Sequence, residues 1–70
     1  MGETKMKWYT QTYQIGRAST TLNRKIKKGA RIFLNGLLLQ HGFDYTLNKR
    51  NVKFKMQLEK NDIVDVEVSE

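Results

Sequence analysis

Residues Ala30–Tyr45 read ARIFLNGLLLQHGFDY, and this stretch decides the fold. An apolar run, Ile32-Phe33-Leu34, enters Asn35-Gly36, and a second run, Leu37-Leu38-Leu39, leaves it. Both turn residues tolerate the positive φ of a type I′ turn, so Asn-Gly between apolar runs is a strong hairpin signal. The reading is therefore a strand over Arg31–Leu34, with Ile32 and Leu34 on one face, returning antiparallel over Leu37–Gln40.

Downstream, His41-Gly42 is a second break, and Phe43–Leu47 is a short strand or extended turn before the polar loop Asn48–Asn51. Val52, Phe54, Met56 and Leu58 then alternate with Lys53, Lys55 and Gln57. Strict period two means a strand with one buried and one wet face. After a turn at Glu59–Asp62, Ile63–Val68 repeats the pattern, with Val64, Val66 and Val68 inward. Lys53 and Lys55 are then expected to pair across to Asp65 and Glu67.

Upstream, Trp8–Ile15 is a strand with Tyr9, Gln11, Tyr13 and Ile15 on one face, broken by Gly16. Arg17–Leu22 is a loop followed by a short strand around Thr20–Leu22. Asn23–Arg31 is a basic connector with Gly29 as its breaker; a short helix over Thr21–Lys28 is the alternative. Residues 1–7 form an N-terminal arm, and residues 8–70 a single β domain. Six to seven short strands at this spacing predict an all-β fold, a small antiparallel β-sandwich or partly open barrel.

The chain has 70 residues, no cysteine and one histidine. So small a core is marginal without a staple. Disulfides and the common zinc frameworks are excluded by composition, which leaves association with other chains as the stabiliser. No apolar stretch approaches the ~18 residues of a membrane span, and the N-terminus has no secretory h-region. The expected setting is therefore the cytoplasm at synthesis, without a membrane partner.

The net charge of +6 suggests an acidic partner. Glu59, Asp62, Asp65, Glu67 and Glu70 crowd the C-terminal end against Lys60, whereas the other Lys and Arg precede them. Opposite signs at the two ends permit head-to-tail docking, or simply two solvated faces.

No constellation for catalysis is present. His41 sits beside a glycine as a solvated loop residue, Ser19 and Ser69 have no base at a suggestive spacing, and the glycines are spaced for turns. Asp62, Asp65 and Glu67 do not match a calcium loop. No enzyme, cofactor or small-molecule substrate is expected. Two binding surfaces are. Arg24, Lys25, Lys27, Lys28 and Arg31 form a patch able to contact phosphates or an acidic surface; with Trp8, Tyr9 and Tyr13 they can build a stacking platform for single-stranded nucleic acid. The other assignment puts the tyrosines in the core and the lysines on a turn. Leu37, Leu38 and Leu39 cannot all be buried in a one-sided sheet. Either a sandwich corner covers all three or another chain does, with Trp8 a further contact candidate.

From about Thr20 onward, RIFLNGLLLQHGFDYTL followed by NVKFKMQLEKNDIVDVEV resembles the small β-modules of bacteriophage tail-fibre and other virion appendage proteins. The matching positions are Asn35, Gly36, Gly42, Asp44, Tyr45, Thr46, Asn61 and Asp62. The resemblance implies a non-catalytic all-β module that assembles into a phage particle, commonly in repeated or symmetric copies. This chain departs from that pattern as a lone module with a basic first half. That favours an anchor, adaptor or cement protein of capsid, neck or tail, with other virion proteins or further copies of itself as partners. A small basic nucleic-acid-binding barrel is the alternative, with a cytoplasmic location.

Overall fold

The computed structural model describes residues 7–69. Apart from Lys7, the N-terminal arm lies outside the described residues, as does Glu70. Seven strands follow in order: β1 (Trp8–Gln14), β2 (Ser19–Leu22), β3 (Arg31–Leu34), β4 (Leu37–Leu38), β5 (Tyr45–Leu47), β6 (Val52–Leu58) and β7 (Ile63–Ser69). They form two antiparallel sheets, ordered β1-β7-β3-β4 and β2-β6-β5. The expected all-β class is what the chain adopts, and the alternative helix over Thr21–Lys28 is absent.

The alternating strands build the core because their apolar sets face one another between the sheets. Ile32, Val64 and Val66 come from the four-stranded sheet; Leu22, Tyr45, Val52, Phe54 and Leu58 come from the other. Ile15 and Leu39, each just past a strand end, are also buried. Ile26, the one apolar residue of the basic connector, packs partly against this cluster.

Several local expectations change. β6 and β7 lie in different sheets, so Lys53 and Lys55 do not pair with Asp65 and Glu67. Alternation sets which face is buried but not which strand lies alongside, and here β7 runs between β1 and β3. Lys55 Nζ instead donates to Gly42 O at 2.9 Å, and Asp65 accepts from Thr12 Oγ1 at 2.6 Å. The returning strand of the hairpin ends at Leu38 rather than Gln40. Gln40 is drawn into the next turn, where its N–H donates to Asp44 Oδ2 at 2.7 Å. That same turn holds Phe43 and Asp44, so β5 begins only at Tyr45. On the edge strand β1, Tyr13 is half-buried and Tyr9, nearer its N-terminal end, is exposed.

Candidate interaction edge and basic groove

Two turns position everything at the surface. In the β3–β4 hairpin, Asn35 (φ 50°) and Gly36 (φ 86°) take the left-handed geometry the sequence called for. The Asn35 side chain also binds outside the hairpin. Its Oδ1 accepts from Ile63 N at 2.8 Å, and its Nδ2 donates to Asp62 Oδ1 at 3.1 Å. Asp62 Oδ2 in turn accepts from Glu59 N at 2.7 Å. The Glu59 backbone N–H and the Asn35 amide together hold the Asp62 carboxyl below its ordinary range. Asn61, at φ 76°, lets the chain turn there. One carboxylate thus ties the hairpin to the turn that launches β7.

The second turn uses Gly42 and Asp44. Gly42 N donates to Tyr45 O at 2.8 Å, and Asp44 N donates to Gln40 O at 2.8 Å. Tyr45 plugs the turn into the core, tilted against Phe54 with ring centroids 6.3 Å apart and stacked on His41 at 5.2 Å. Burial, and then the Asp44 charge, push its phenol above the ordinary tyrosine range. His41 is solvent-exposed as expected, but it also roofs this tyrosine. Asn35, Gly36, Gly42, Asp44, Tyr45, Asn61 and Asp62 therefore have architectural work, whatever else they do.

What these turns present is apolar. Leu37 is 69% exposed and Leu38 53%, on a strand whose outer edge pairs with nothing among the described residues. Leu39 is 6% exposed and bonded through its N–H to Ile32 O at 2.8 Å. A corner that buries all three leucines is thus ruled out: Leu39 belongs to the core, and Leu37 and Leu38 are exposed on opposite faces of β4. Phe33 lies directly opposite Leu38, and Phe43 is exposed at the following turn. Trp8 is not part of this surface. It sits on β1, at the opposite edge of the sheet, with the Arg31 guanidinium 4.3 Å from its ring centroid.

Arg24, Lys25, Lys27, Lys28 and Arg31 are all exposed but do not form one patch. Arg24 lies over Tyr13 at 5.4 Å, Lys27 Nζ donates to Ser69 O at 3.3 Å, and Arg31 reaches Glu67 at 4.0 Å. Lys25 and Lys28 instead rim a groove of about 380 Å³ together with His41 and Lys49, over Ile26 and Leu47. No carboxylate lines it. Nothing in the sequence links Lys49 and His41 to this patch, since only the β2-β6-β5 sheet brings their loops beside the connector. Trp8 and Tyr13 point to opposite faces of β1, so they cannot stack one continuous run of bases. Among the described residues no group of three His, Cys, Asp or Glu could hold a metal ion.

No protein-family model, curated protein or solved structure matches the chain.

Proposed function

We propose that this chain is a non-enzymatic structural protein of a phage virion, an anchor, adaptor or cement protein of capsid, neck or tail. It joins a larger protein assembly through the β4 edge. One observation carries the reading: Leu37 and Leu38 stand exposed on the two faces of an open edge strand that leaves the Asn35-Gly36 turn. Apolar side chains on an unpaired edge invite strand addition with burial on both sides of the new strand. The ordered turn motifs that resemble virion modules supply the setting. The experiment is peptide mass spectrometry of purified particles of the phage that encodes the chain, where the tryptic peptide Ile32–Lys49 is expected. Leu38→Lys, exposed and so near-neutral for the fold, should deplete the chain from particles. A chain missing from particles, or one incorporated equally well as the Leu38→Lys variant, overturns the proposal.

The groove rimmed by Lys25, Lys28, Lys49 and His41 favours a second reading, contact with nucleic-acid phosphates. Light scattering with an oligonucleotide at low and at ~0.5 M salt separates the two, because phosphate contacts weaken steeply with salt whereas apolar docking does not. Salt-sensitive oligonucleotide binding would move the conclusion to this reading.

A further inference from the structure

We infer that β1 is a self-complementary edge through which two copies of the chain pair about a twofold axis at Gln11. Of the four edge strands among the described residues, β2 has four residues, β4 two and β5 three, so none offers a second copy a backbone ladder as long as that of β1. β1 has seven residues, WYTQTYQ, and pairs with β7 in unbroken register. It carries no charge, no proline and no bulge, the devices by which proteins guard a long edge. That neutrality matters in a chain of net charge +6, because β1 can meet its own copy without opposing like charges.

The side chains choose the partner. Tyr9–Tyr13 reads Tyr-Thr-Gln-Thr-Tyr, the same in both directions. An antiparallel strand pair centred on Gln11 places Tyr9 beside Tyr13 of the second copy, Thr10 beside Thr12, and Gln11 beside itself. Aromatic and threonine cross-strand pairs of this type are favourable. The backbone agrees with the centre. Ile15 N donates to Asp62 O at 2.8 Å and Ile15 O accepts from Asn61 N at 2.7 Å, so Ile15 points its backbone groups toward β7. Alternation then directs Tyr9, Gln11 and Tyr13 toward β7, and Trp8, Thr10, Thr12 and Gln14 outward. In the Gln11-centred register outward residues meet outward residues, and all seven positions of β1 are paired. The midpoint of the strand and the midpoint of the palindrome coincide. The product is a continuous eight-stranded sheet with the β4 edges at its two ends, and it covers Tyr9, now 49% exposed. This pairing stands or falls independently of the particle assignment, since it uses the opposite edge.

Sedimentation analysis of the whole chain at about 10 and about 500 µM, a range suited to an interface of less than standard size, should show a monomer–dimer equilibrium. Thr10→Pro removes only an outward N–H, which an edge strand tolerates, and should weaken the dimer roughly tenfold or more. Gln11→Lys should do likewise by setting two cations opposite each other. Gln11→Cys introduces the only thiol, in a non-hydrogen-bonded pair close enough for a disulfide. It should cross-link under mild oxidation well before a control Lys60→Cys. Circular dichroism melts confirm that each variant is folded. A monomer at the higher concentration with no preferential Gln11→Cys cross-linking overturns the inference. So does a dimer that survives Thr10→Pro and Gln11→Lys but is lost in Leu38→Lys, an outcome that would leave the β4 docking proposal standing.

Discussion

Gly36 holds φ at +86° with open space around the position where a side chain would begin. Any cost of adding one is therefore backbone strain rather than a clash. Gly36→Ala should destabilise the fold by about 1–2 kcal/mol, the penalty of a left-handed conformation for an L-residue. Gly16 is equally open but lacks a positive φ, so Gly16→Ala should be neutral or stabilise by up to ~1 kcal/mol through the unfolded chain. Urea midpoints of the pair test this; equal losses would mean that the turn is not conformationally selective. Asp62 supplies a pH-dependent counterpart. Its folded-state pKa lies below the unfolded value of about 3.9, so its contribution is present above that value and is lost as pH falls through the folded pKa. Asp62→Asn should be less stable than wild type near neutrality, with the difference shrinking in acid melts. A difference independent of pH would remove the carboxylate charge from the explanation.

β3 shows how differently neighbouring apolar residues count once they are in a strand. Ile32 is fully buried between the sheets and Leu37, at the start of the next strand, is not. Ile32→Val should cost about 0.5–1.5 kcal/mol and Ile32→Ala about 2–5 kcal/mol. A core this small rarely supplies more than ~3–5 kcal/mol, so the alanine variant should be largely unfolded at 25 °C. Leu37→Ala should change the urea midpoint by no more than ~0.5 kcal/mol equivalent. If Leu37→Ala proves as costly as Ile32→Ala, the exposure of β4 is wrong. The strands were legible because Val52–Leu58 and Ile63–Val68 alternate and because Asn35-Gly36 permits one kind of turn. Their neighbours were not. A four-residue polar turn after an alternating strand suits a hairpin and a crossing between sheets alike, and the strand pairing shows that a crossing was built, with Asn35 bonded to Asp62 at its end. The groove was illegible for a related reason: Lys25 and Lys49 are joined by sheet order, which periodicity does not encode. Leu39 differs from Leu37 and Leu38 because β4 stops after two residues, and the sequence run has no mark at that point.

A net charge of +6 on a 70-residue chain is a standing repulsion, and little attraction balances it. The single ion pair among the described residues, Arg31–Glu67, spans 4.0 Å with both side chains partly in water. Such a pair contributes between nothing and ~1 kcal/mol. Arg31 over Trp8 and Arg24 over Tyr13 add contacts of similar modest size at exposed sites, about 0.5–1 kcal/mol each. Lys25, Lys28 and Lys49, gathered around one groove, oppose them at short range. Sodium chloride shortens the screening length from ~30 Å at 0.01 M to ~10 Å at 0.1 M, which removes long-range repulsion first and leaves close contacts comparatively intact. The melting temperature should therefore rise between low salt and ~0.15 M, by a few degrees for a net gain of roughly 0.5 kcal/mol in a chain of this length. Chloride rather than sulfate isolates the effect, since sulfate also strengthens apolar burial. Neutralising the groove with Lys25→Gln and Lys28→Gln should raise the low-salt melting temperature and flatten its salt dependence. A melting temperature that instead falls as salt is added would mean that Arg31 with Glu67 and the two arginine–aromatic contacts outweigh the repulsion, and that the positive surface is organised for stability rather than held open for an anionic partner.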